Sequence, residues 1–181
     1  MKTRARQINP VNVLCVAICA LAFMTPRTSS AGLWVETGAS AVEFAHTDNS
    51  ISSTDNRALV SPTLGWAFLQ GFMVGVQGFE AVNHGNTKSY GLGPKGGVLI
   101  EGFEFTGTWL SSVRDVRGED TRTGKGVVLN LGYSARIVGP LRLGAYFSYF
   151  ALTYDKENGY SLAPTAQESF ISPQIAIALG F

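Results

Sequence analysis

His46 and His84 are the only two imidazoles in the 181-residue sequence. Imidazole is the side chain most often used as a base near neutral pH. Ser50, Ser52 and Ser53 follow the first histidine closely, and Ser89 follows the second. A base beside a hydroxyl could make a nucleophile for acyl transfer. No His-x-Ser pair occurs, however, and a histidine in a polar loop is ordinarily solvated, so catalysis is not expected. Two separated histidines also fall short of a metal-ligand set. Gly91-Leu92-Gly93-Pro94-Lys95-Gly96-Gly97 is rich in glycine but has no helix behind it, which disqualifies it as a phosphate-binding loop. No cofactor is implied. A second kind of chemistry is open to Glu36, Lys95, Glu104, Arg136 and Arg142. They are charged residues inside otherwise apolar or glycine-rich stretches, where a charge must find a partner.

What must position these residues is a set of β-strands. Ile171, Pro173, Ile175, Ile177, Leu179 and Phe181 alternate with Ser172, Gln174, Ala176, Ala178 and Gly180. A period of two means a strand with one apolar and one polar or small face. Pro173 disfavours a central strand, since it lacks an N–H, and fits at a bulge or near the membrane edge. The same alternation runs over 127–137 and 141–150, joined by Val138-Gly139-Pro140. A further strand runs from Phe103 to about Arg114. In the first half, strands are expected near 33–46, 56–68, 72–83 and 91–100, with a bulge near Gly78 where the alternation slips. Joins at 69–71, 101–102 and 138–140 are short. Those at 47–55, 84–90, 115–124 and 154–165 are longer and polar. Short and long joins alternate, as an up-and-down ring of eight strands requires.

The first 31 residues stand apart. Lys2, Arg4 and Arg6 precede an apolar run from Val11 to Met24, too short for a membrane helix but suited to a signal peptide. Cleavage is expected after Ala31, with Ala22 as the alternative, leaving 32–181 as the mature domain. Cys15 and Cys19 would leave with the leader, so no disulfide framework is expected. With Lys2, Arg4, Arg6 and Arg27 also removed, ten basic residues face thirteen acidic ones, a balance of −3. That balance argues against a nucleic-acid partner. After Ala31 no apolar run approaches the roughly 20 residues of a membrane helix. Glycine and aromatic residues with dispersed alternation are the signature of a membrane β-barrel. The fold expected is therefore all-β, a closed eight-stranded antiparallel up-and-down transmembrane β-barrel.

From strand count, join alternation and the last strand, residues 32–181 resemble the small OmpA/OmpX-type outer-membrane barrels. The resemblance implies an outer-membrane location, with lipid and lipopolysaccharide around the barrel. It also implies that Ile175, Ile177, Leu179 and Phe181 form the signal read by the barrel-assembly machinery. No stretch resembles the palmitoyltransferase or deacylase enzymes that share this architecture. Trp66, Phe68, Phe72, Phe103, Tyr149 and Phe150 are expected at the membrane interfaces.

By the pleat, Glu36, Lys95, Glu104, Arg136 and Arg142 point into the lumen. Glu104, Arg136 and Arg142 start or end consecutive strands at one end, so they are expected to form one ion-pair cluster there. The lumen of an eight-stranded barrel is about wide enough for side chains alone, and buried charges must pair. The function expected is a non-enzymatic integral outer-membrane protein with a structural or surface-interaction role. A narrow solute channel is the alternative, and a lipid A-modifying enzyme the second alternative. Oligomeric state is left open.

Overall fold

The structure, a computed structural model, describes residues 32–48, 51–68, 71–83 and 87–181; for 43–48 and 51–55 it describes the backbone alone. The leader, both cysteines, Ser50 and His84 lie outside the described residues, as do the side chains of His46, Ser52 and Ser53.

Eight strands form one closed antiparallel ring in sequence order. They are β1 (Gly32–Asp48), β2 (Ile51–Phe68), β3 (Phe72–Val82), β4 (Thr87–Ile100), β5 (Phe103–Arg117), β6 (Asp120–Val138), β7 (Leu141–Glu157) and β8 (Tyr160–Gly180). Each strand pairs with its sequence neighbour, and β1 closes on β8 through Trp34–Ala39 and Ile175–Gly180. Phe181 N–H then donates to the Leu33 carbonyl at 3.0 Å, and Gly180 N–H to that of Pro140. Closure leaves no open edge along this belt, which is what a wall facing hydrocarbon requires.

The strands run further than the polar joins suggest. Of the expected long loops 47–55, 84–90, 115–124 and 154–165, most residues are strand. Arg117 pairs with Asp120 and Glu157 with Tyr160, so these hairpins turn on two residues. Asn158 and Gly159 both have positive φ, the type I′ geometry that Asn-Gly favours in a two-residue hairpin. At the opposite end Glu101-Gly102 turns the same way, with φ of 50° and 96°. The difference between the two ends is therefore one of hairpin height, since backbone pairing continues through polar segments as it does through apolar ones.

The bulges also fall elsewhere. Pairing of β3 with β4 is continuous through Gly78; the register shifts lie between Leu92 and Lys95 on β4, between Leu110 and Val113 on β5, and in the β6–β7 and β7–β8 pairings at Thr123/Gly124, Arg136/Val138 and Tyr154/Lys156. The apparent slip in β3 arises because Phe79 and Ala81 are apolar yet face the lumen. Phe150 likewise faces inward, fully buried, rather than sitting at an interface. Pro173 faces outward two residues beyond the last β1–β8 pair, where β8 is an edge towards β1 and tolerates a missing N–H.

Candidate functional site in the lumen

The pleat sends alternate side chains inward, and their chemistry changes with height. Up β5 from the Glu101-Gly102 turn, the inward series is Glu104, Thr106, Thr108, Leu110, Val113 and Asp115. The other strands follow the same order, which stacks the lumen in layers.

At the bottom lies an apolar floor of Trp34, Met73 and Ala178, with Leu99 against it. On it rests the first charged layer. Lys95 Nζ is 2.7 Å from Glu104 Oε1 and 3.6 Å from Glu36 Oε1. The Lys95 side chain is 1% exposed, so the pair is cut off from bulk water. Two carboxylates share one ammonium, and neutral donors make up part of the deficit. Tyr146 Oη donates to Glu36 Oε2 at 3.1 Å, Trp34 Nε1 to the same oxygen at 3.3 Å, and Thr106 Oγ1 to Glu104 Oε1 at 2.8 Å. Lys95 also donates to Thr63 Oγ1 at 3.3 Å. Glu104 Oε2 is buried with no hydrogen-bond partner among the described residues. Gly132 makes room for the Tyr146 ring, which lies 2.2 Å from where a Cβ would stand.

Above this sits a neutral polar layer. Asn130 Nδ2 donates to Thr106 and to Gln77, each at 3.1 Å, while Asn130 Oδ1 accepts from Ser148 Oγ at 2.7 Å. Ser61 donates to Gln174 at 2.5 Å. Next comes an apolar layer that includes Leu59, Phe79, Leu110, Val128, Phe150 and Phe170. Phe150 stacks on Phe170 at 4.6 Å and meets Phe79 edge-on at 5.4 Å. β4 contributes only glycine here, because the Phe79 ring stands 2.6 Å from where a Gly91 Cβ would be.

A second charged layer caps the lumen. Arg57 Nη1 donates to Ser89 Oγ and to Asp115 Oδ1, the latter at 3.2 Å. Ser89 Oγ donates to Asp115 at 2.5 Å, and Arg117 Nε to Asp115 Oδ2 at 2.6 Å. Arg117 continues to Glu168 at 3.2 Å, which also accepts from Tyr154 Oη at 3.0 Å. None of Arg57, Asp115, Arg117 or Glu168 is singled out by the sequence reading. Asp115, Arg117 and Arg57 lie at or beyond the expected strand ends, where a charge reads as solvated. The signal that could have found them is the Asn-Gly hairpin at 158–159, which extends β7 and β8 and carries the period of two up to Glu168.

The five charged residues expected together divide into three groups. Glu36, Lys95 and Glu104 meet. Arg142 is half-buried, donates to Ser134 Oγ at 3.0 Å and to the Ser134 carbonyl at 2.7 Å, and lies 5.8 Å from the Trp34 ring. Arg136 is exposed. The expected cluster of Glu104, Arg136 and Arg142 is thus corrected: Glu104 is paired by Lys95. β5–β6 pairing ends at Tyr133, leaving Arg136 beyond the wall, and Arg136 stands directly opposite Arg142, whose like charge repels it. Ile175, Ile177 and Phe181 are exposed on the outer face of β8, with Leu179 half-buried beside them. Among the described residues, no group of three His, Cys, Asp or Glu side chains is placed to hold a metal.

The outside inverts the inside. Trp66, Phe72, Phe103, Trp109, Phe147 and Ile175 are all at least half exposed or nearly so. Phe103 packs on Tyr133 at 4.8 Å beside one of the short turns.

No family model and no curated protein matches the chain. Among solved structures, the crystal structure of Neisserial surface protein A matches with a TM-score of 0.56 at 14% identity. The match spans 84% of this chain and all of that one. The chain has the fold of that eight-stranded barrel. At so low an identity the likeness lies in strand number and closure, and the luminal residues above are this chain's own.

Proposed function

We propose that the protein is an integral outer-membrane β-barrel with a structural or surface-interaction role and no enzymatic activity, its lumen closed by side chains. The observation that carries this reading is the inversion of the two faces. Large apolar and aromatic residues cover the outside, while Glu36, Lys95, Glu104, Arg57 and Asp115 are buried inside. A water-soluble barrel would spread its charges the other way, and a wide apolar belt on a free surface promotes association. The apolar layer between the two charged ones supports a plug over a pore, because an ion crossing it would lose its hydration without finding polar partners.

On this reading the taller hairpins face outward from the cell and the short turns face the periplasm. The barrel-assembly machinery reads β8 through Ile175, Ile177, Leu179 and Phe181, and lipid with lipopolysaccharide surrounds the wall. The test is expression with membrane fractionation and heat-modifiable gel mobility, then cysteine labelling of intact cells. Glu119→Cys and Asn158→Cys should be labelled from outside, and Gly139→Cys protected. Folded protein absent from the outer-membrane fraction would overturn the location. Steady planar-bilayer conductance would replace the plug with a channel, and a changed lipid A mass on expression would replace both with an enzyme.

A further inference from the structure

The upper outer wall of β4, β5 and β6 carries cations that nothing in the lumen accounts for. Arg114 on β5 and Lys125 on β6 both face outward and are exposed. Arg114 pairs across the sheet with Thr123, and Lys125 is the next outward residue down β6. That diagonal spacing, about 7–8 Å between Cα atoms, lets two long side chains converge on one group. Among the described residues no ion pair or hydrogen bond holds either cation. Their neighbour Lys88 on β4 is already paired with Glu80 at 2.6 Å.

The surroundings are those of an amphipathic ligand. The Leu110/Val113 bulge exposes Ser111 and Ser112 in succession next to Lys125. Tyr90 lies directly across from Arg114 on the β4 side. Immediately below the cations, towards the short turns, the outer face becomes Leu92, Trp109 and Leu129, all exposed. Two unpaired cations and a free hydroxyl thus sit directly above an apolar wall.

Building on the outer-membrane reading, we propose that Arg114 and Lys125, with Ser112, hold a phosphate group of a phosphorylated glycolipid in the leaflet around the barrel, whose acyl chains lie against Leu92, Trp109 and Leu129. The guanidinium fork suits phosphate oxygens in pairs, and the ammonium adds a point charge. Charge complementarity selects the ligand, since a zwitterionic headgroup would bring its own cation to the two already present.

The test uses the full folded barrel in detergent. It is titrated with bis-phosphorylated lipid A, with the same lipid dephosphorylated, and with inorganic phosphate. Binding is read by native mass spectrometry and by protection against heat unfolding. The phosphorylated lipid should bind, and R114Q and K125Q should each weaken it about fivefold. R136Q, an exposed arginine at the opposite, short-turn end of β6, should leave binding unchanged, and the charge-keeping R114K with K125R should restore most of it. Heat-modifiable mobility confirms that each variant folds. Equal binding by the R114Q/K125Q protein, equal binding of the dephosphorylated lipid, or equal protection by inorganic phosphate would each overturn the proposal. Fractionation of cells reads the membrane assignment separately. Folded protein in the outer membrane without phosphate-dependent binding sinks the site alone; binding in detergent by a protein found elsewhere in the cell sinks the location alone.

Discussion

The two charged layers of the lumen solve the same problem differently. The lower layer has one cation for two carboxylates and is sealed between the apolar floor and the neutral polar layer. The upper layer matches two guanidinium groups to two carboxylates, and Arg117 is 27% exposed to the water above. A sealed, unbalanced cluster depends wholly on its single cation. A balanced cluster at the rim is redundant, because water and a second arginine stand behind each contact. The difference teaches that ion pairs of similar length within one barrel contribute unequally to stability, and that depth and charge count decide which matter.

Lys95→Ala should break this comparison most severely. It leaves Glu36 and Glu104 buried without a cation, at a cost of about 3–5 kcal/mol measured by urea unfolding in lipid or detergent. Loss of less than the cost of an exposed pair would show that water reaches the lower layer. Arg57→Ala should cost less, about 1–3 kcal/mol, since Arg117 and Ser89 still hold Asp115. If the two losses are equal, the upper layer is as dry as the lower and the contrast fails. A double-mutant cycle sharpens it further. Lys95 and Glu104 should couple by about 0.5–3 kcal/mol, whereas Lys95 and Arg57, with a polar and an apolar layer between them, should add within about 0.5 kcal/mol. The smallest effect belongs to Arg136→Ala, within about 0.5 kcal/mol of the parent, because the residue is exposed beyond the wall. A larger loss would restore the pairing with Glu104 that the structure denies.

How much of this was legible depends on which force set each feature. Strand number, order, short turns and the inward placement of Glu36, Lys95 and Glu104 all follow from a period of two, kept by the apolar residues of the outer face. Lys95 reaches Glu104 because its long side chain extends down the lumen from a position opposite Thr108, and sequence parity alone cannot express that reach. Arg136 has the right parity but lies past the end of the neighbouring strand, and strand ends depend on pairing between segments. The upper network was hidden for the opposite reason. Towards the taller hairpins the outer face turns polar and the alternation fades, so Asp115 falls in the expected join 115–124 and Glu168 precedes the alternation that begins at Ile171. The slip of alternation at Gly78 marks the apolar luminal layer and not a bulge, because Phe79 and Ala81 put apolar side chains on the inward face.

The seam between first and last strands carries a further consequence. β1 and β8 share six residue pairs, Trp34–Ala39 with Ile175–Gly180, whereas β1 and β2 pair along their whole length. Among the described residues, the only cross-link just above the last pair is Ser40 Oγ to Ser172 Oγ at 2.6 Å. The molecule is therefore a collar with a notched lip. Its waist is a complete hoop, while its brim is a scroll whose two margins stand apart. Such a brim can lengthen, shorten or swing in one hairpin without straining the hoop, so change at the rim and closure of the ring are governed by separate parts of the same eight strands.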